Sequence, residues 1–147
     1  MIVFIKRAVL SLMAFFLVSL TASAGGSIWK GYKTSSFDWN PVMDAIIKVE
    51  SEGNPRAVSG NSVGVMQITP ILVKECNYIL KSQKSNKRYT LDDRYSVEKS
   101  KEMFLLIQKY FNPENNVEKA IRSWNGGMKY SVKATNKYYK KVLARMN

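Results

Sequence analysis

Apolar positions recur at helical spacing along most of the chain. Met43, Ile46 and Ile47 follow Asn40-Pro41 at intervals of three and four, and Glu50 falls on the same line. That spacing predicts a helix with Asn40 as N-cap and Pro41 in the first helical position, stopped at Gly53. A Gly/Ser/Asn-rich loop follows over 54–64. Thr69-Pro70 repeats the cap signal and opens a helix through Ile71, Val73 and Ile79, after which residues 81–88 are polar and basic and read as a loop. Ser96 caps a long helix whose Val97, Phe104, Ile107 and Phe111 share a stripe. Val117, Ala120, Ile121 and Trp124 make a further helical face that ends at Asn125-Gly126-Gly127. A last helix starts near Ser131 and carries Tyr138, Val142 and Arg145 on one side. No alternating strand pattern and no internal repeat breaks the series, so the fold expected is all-α or nearly so.

The N-terminus is different in kind. Lys6-Arg7 precede an uncharged apolar run over residues 8–20, and Ala22 and Ala24 then fit a small-x-small exit. This is the layout of a secretory signal peptide, and the run is short beside the roughly 20 residues of a membrane-spanning helix. An uncleaved N-terminal anchor is the alternative. The division expected is therefore a signal peptide over 1–24, a polar lead-in over 25–39 and one catalytic-sized domain over 40–147, exported to the periplasm or cell envelope.

Composition narrows the chemistry. The 147 residues contain no His and a single Cys, Cys76, so histidine-based catalysis, His/Cys zinc sites and an intramolecular disulfide are all excluded. Lys and Arg number 23 against 11 Asp and Glu, a net charge of +12 that falls to about +10 once Lys6 and Arg7 are removed. Such a balance suits nucleic acid or an anionic surface. For an exported chain an anionic surface is the partner expected, and nucleic acid is not.

Proton chemistry must then come from carboxylates, Tyr, Lys, water or an external cofactor, and Glu50 is the candidate. A carboxylate on the apolar stripe of a helix, near its C-terminal end, is pressed towards its neutral form by desolvation and by the helix dipole. A carboxyl that stays protonated near neutral pH can act as a general acid. The plainer alternative is a half-buried glutamate paired to one of the many Lys and Arg side chains.

The residues around Glu50 add to this. Glu50-Ser51-Glu52-Gly53-Asn54-Pro55, then Ala57 and Ser59, then Gly64-Val65-Met66-Gln67-Ile68-Thr69-Pro70, then Trp124-Asn125-Gly126-Gly127 and finally Thr135 to Val142 resemble, in order, the signature of the SLT-type lytic transglycosylases. That family has an α-helical fold like goose-type lysozyme. The resemblance spans residues 41–142, with Val65 in place of the usual Leu, Trp124 in place of Tyr, and Ala134 where a Glu is common.

It implies that Glu50 is the catalytic acid and base. Ser59, Gln67 and Asn125 become contacts to the glycan or to the backbone that positions it, and Tyr138 orients Glu50. Each also has a structural alternative: a turn cap for Ser59, a backbone brace for Gln67, a helix stop for Asn125 and core packing for Tyr138. Glu52 points away and reads as a solvated charge.

Most glycosidases set two carboxylates astride the bond, whereas this sequence offers none beyond Glu50 inside a recognisable motif; Asp92 and Asp93 read as helix-start charges. The resemblance implies instead cleavage between N-acetylmuramic acid and N-acetylglucosamine by one acid, with 1,6-anhydromuramyl products and no metal or organic cofactor. Two other functions stay open on the same scaffold: a lysozyme-like hydrolase, and a non-catalytic cationic protein that binds wall glycan or membrane. The partners expected are peptidoglycan strands and, for a small monomer of this kind, a wall-penetrating assembly of secretion, conjugation or phage type.

Overall fold

The computed structural model describes residues 37–146; the expected signal peptide and most of the lead-in lie outside the described residues. Five helices follow in order: α1 (Asn40–Ser51), α2 (Pro70–Ser82), α3 (Val97–Phe111), α4 (Val117–Gly126) and α5 (Val132–Met146). Between α1 and α2 a tight antiparallel pair, β1 (Val58–Ser59) and β2 (Ser62–Val63), turns through Gly60. A single-turn 3-10 helix, Asp92–Tyr95, precedes α3. The all-α expectation is met among the described residues, with the small hairpin and its bridge from Val63 to Ile68 as the departure. A two-residue strand is too short to show alternation in sequence.

The helix ends show where local chemistry won. Thr69 and Ser96 cap as their sequences predict, accepting from the amides of Leu72 and Lys99, each at 3.2 Å. Asn40 does not. Asp38 accepts from both its backbone amide and its side-chain Nδ2, at 2.9 and 2.8 Å. The asparagine thus donates rather than caps, and α1 begins one residue earlier than expected, with Trp39 in the cap position. At the far end Glu52 takes a left-handed conformation ahead of Gly53. Residues 81 and 82, expected in a loop, form the last turn of α2.

Met43, Ile46, Ile79, Met103, Phe104, Ile121 and Val142 are buried together and come from all five helices. Full burial of a side chain such as Phe104 contributes about 1.5–3 kcal/mol. Trp39 meets Phe104 edge-on in this core and Phe104 meets Trp124 at a tilt, with ring centroids 5.6 and 5.2 Å apart. Two residues expected on core stripes are exposed instead: Val97 in the first turn of α3, and Ile71 at 77% in the first turn of α2. Cys76 is a buried thiol against the carbonyl of Met103, and its burial pushes its pKa up to about 12.

What positions the site is the packing of α1 against α5, and of α4 against both. Gly126 permits it, because a Cβ there would meet Thr135 Cγ2 at 2.7 Å and Tyr130 Cβ at 2.8 Å. Arg122, buried in α4, binds across to α5 through the carbonyl of Val132 (3.0 Å) and Thr135 Oγ1 (3.1 Å). Its Nε donates to Glu118 at 2.7 Å, and its guanidinium lies over the Tyr139 ring. Thr135, the first residue of the last motif, therefore serves the α4–α5 joint.

Candidate active site

Glu50 stands in the last turn of α1, half-buried, where the helix leaves the core for the loop. Its Oε1 accepts a hydrogen bond from the Tyr138 hydroxyl of α5 at 2.7 Å. No ion pair reaches Glu50 among the described residues, so the Lys/Arg-paired alternative is not what this structure holds. Burial pushes the Glu50 carboxyl above the ordinary carboxylate value, and the Tyr138 hydrogen bond pulls partly back. The Tyr138 hydroxyl is held protonated by burial and by the neighbouring carboxylate charge.

In front of Glu50 lies a pocket of about 240 Å³, and three more of the sequence candidates share its lining: Ser59, Gln67 and Asn125. Ser62, Thr69, Leu72 and Trp124 complete it. Tyr138 lies outside this pocket. With Glu50 and Asn125 it lines a second hollow of about 360 Å³, whose rim carries Lys137 and Lys141. Glu50 and Asn125 are therefore the two residues that face both spaces. A larger hollow of about 710 Å³ lies apart from these, beside Trp39, Met43 and Leu105. Its one carboxylate, Asp38, is committed to Asn40.

The loop wall is built from backbone. Gln67 has a left-handed backbone (φ 51°), and its Nε2 donates to the carbonyls of Ala57 (3.2 Å) and Gly64 (3.0 Å). Both amide hydrogens are thereby used on the loop, and Oε1 remains for the pocket. Gly64 (φ 79°) has no room for a side chain, since a Cβ there would overlap the carbonyl oxygen of Arg94. Arg94 is itself buried and donates to the carbonyls of Leu91 (2.7 Å), Asn61 (3.2 Å) and Ile68 (3.4 Å). Ser51, directly after Glu50, ties α1 to the same loop through the carbonyl of Val65 at 2.8 Å. Trp124 does so from α4, its indole N–H reaching the carbonyl of Met66 at 3.2 Å.

Sequence reasoning assigned no role to Ser51, Ser62 or Arg94. Ser62 pairs in register with Ser59, a relation that only the hairpin creates. Ser51 was visible as the second residue of the first motif. Arg94 had no signal of its own. No group of three or more His, Cys, Asp or Glu is placed to hold a metal ion among the described residues.

A half-buried carboxyl held by a tyrosine thus opens on a pocket walled by a backbone-braced loop, on a helical scaffold. The chain belongs to the transglycosylase SLT domain family, whose match covers residues 27–146. That family implies a lytic-transglycosylase-type activity on peptidoglycan. Comparison with curated proteins and with solved structures gives no significant match.

Proposed function

We propose that this protein is an exported lytic transglycosylase that cleaves the β-1,4 bond between N-acetylmuramic acid and N-acetylglucosamine with Glu50 as its only proton-transfer residue. The observation that carries the reading is the pairing of Glu50 with Tyr138 in two adjoining hollows that hold no other carboxylate among the described residues. With one carboxyl, the mechanism needs an acid that becomes a base. Glu50 gives its proton to the glycosidic oxygen as the C1–O bond breaks, and the N-acetylglucosamine hydroxyl departs. The positive charge at C1 is stabilised by the substrate's own 2-acetamido group. The muramyl C6 hydroxyl then attacks C1, returning its proton to Glu50 and closing the 1,6-anhydro ring. Glu50 ends as it began and no water is consumed. Tethering of the C6 hydroxyl to the reacting ring favours it over solvent.

Tyr138 keeps the carboxylate oriented between the two transfers, while Ser59, Gln67 Oε1 and Asn125 supply hydrogen-bonding groups to the sugar. Export is supported by the basic, apolar and small-residue order of residues 1–24. The net positive charge favours an anionic wall.

The test is mass analysis of fragments released from purified peptidoglycan. Anhydro ends, lighter by one water than reducing ends, support the reading, and reducing ends show a lysozyme-like hydrolase instead. Binding with no released fragment shows a non-catalytic wall protein.

A further inference from the structure

Beyond Trp124 and Leu72 the catalytic pocket continues into a hollow of about 420 Å³, which shares Thr69, Leu72, Trp124 and Asn125 with it. Its lining is mainly apolar. Ile71 and Met128 stand open to solvent there, 77% and 43% exposed, and Phe111 backs them. Glu75 is the only carboxylate in this lining, one helical turn past Leu72, or roughly 5 Å along α2. It is partly buried, yet it makes no side-chain hydrogen bond and no ion pair among the described residues. With no Lys or Arg among the described residues reaching it, this carboxylate leaves its charge open to a cation from outside. One carboxylate is too few for a metal site. A flexible aliphatic chain tipped by an ammonium matches both the apolar walls and the single charge.

Resting on the transglycosylase reading, we propose that this hollow receives the side-chain amine of the diamino acid in the peptide stem carried by muramic acid, with Glu75 as its counter-ion. That amine is free in an uncross-linked stem and acylated, hence uncharged, in the stem that accepts a cross-link. The third residue of an extended stem reaches about 10 Å from its sugar, enough to pass from the catalytic pocket into the adjoining hollow. Glu75 would therefore make the enzyme favour stems whose side-chain amine is free over stems that have accepted a cross-link. It is a specificity residue, not a participant in bond cleavage.

The experiment compares two strands that differ only in whether the stem amine is free or N-acetylated, scoring anhydro-ended product as kcat/KM. Wild type is expected to favour the free amine about tenfold, the worth of one charge-assisted contact, mostly in KM. Glu75→Gln should bring that ratio to about one, and Glu75→Asp should keep part of it. Lys81→Met with Lys84→Met, which changes net charge away from the hollow, should leave the ratio as in wild type. A ratio near one in wild type, or one unmoved by Glu75→Gln, overturns the proposal and leaves the transglycosylase reading intact. Loss of turnover on both strands in Glu75→Gln with its melting temperature preserved also overturns it, because Glu75 would then serve the cleavage itself. Absence of anhydro product from either strand with wild type overturns the parent reading and this one with it.

Discussion

Tyr138 donates its hydroxyl to Oε1 of Glu50 at 2.7 Å, joining α5 to the end of α1 across 88 positions of sequence. The bond favours the carboxylate while the burial around it favours the acid, so the residue's pKa is a balance that either partner can shift. Tyr138→Phe keeps the ring and removes the donor. The Glu50 pKa should rise further, carrying the alkaline limb of the pH–rate profile to higher pH, with kcat lowered about tenfold by the loss of orientation. A profile that does not move would show that the hydroxyl has no hold on the titration.

Glu50→Gln should reduce turnover by about 10²–10⁴-fold, and it should also alter stability in a pH-dependent way. The folded-state pKa of Glu50 lies above its ordinary value. Between those two values the native state holds a proton that the unfolded chain has released, so wild-type stability declines as pH rises through this window. The glutamine variant lacks that decline. Its melting temperature relative to wild type should therefore climb with pH from about 4.5 upward, and melting curves across pH 4–8 would register it.

Two glycines of the loop offer a paired test of backbone against space. Gly60 (φ 58°) has nothing within 4 Å of a built Cβ, so Gly60→Ala should cost only about 1 kcal/mol of left-handed strain. Gly64 (φ 79°) faces the carbonyl of Arg94 and has no room. Gly64→Ala must move backbone and should cost more than about 3 kcal/mol, with loss of activity, in chemical denaturation and turnover assays.

Trp124→Phe separates the indole's two duties. The ring's packing on Phe104 is largely kept, while the N–H bond to the Met66 carbonyl is lost. Leaving that carbonyl without its donor should cost about 1–2 kcal/mol, and the looser wall should raise KM more than it lowers kcat. Steady-state kinetics on soluble glycan fragments would resolve the split.

Much of this architecture is legible in the sequence where a signal is local. Thr69 and Ser96 sit immediately before their helices and cap them, and Glu50 stands out because it interrupts an apolar stripe. Asn40 misleads because Asp38, two residues earlier, binds it first. Gln67 and Tyr138 lie at motif positions, yet sequence leaves open whether each meets substrate, backbone or core. The structure shows Gln67 spending its amide hydrogens on Ala57 and Gly64, and Tyr138 spending its hydroxyl on Glu50. Arg94 and Glu75 could not be read at all. Each reads in sequence as an ordinary surface charge, Arg94 among polar neighbours and Glu75 on a mainly apolar helix. Only tertiary packing brings carbonyls to Arg94 and leaves Glu75 without a partner among the described residues.

Arg94 has a further consequence. One guanidinium gathers the carbonyls of residues 61, 68 and 91, while its own carbonyl sits against Gly64 and accepts from Ser100 of α3 at 3.2 Å. Four stretches of chain are thus fastened at one point, so the pocket wall should open as a single cooperative unit rather than fray strand by strand. In native-state hydrogen exchange the amides of Val63, Gly64, Gln67 and Ile68 should share one opening free energy, and Arg94→Met should lower all four together while the amides of α5 keep their protection.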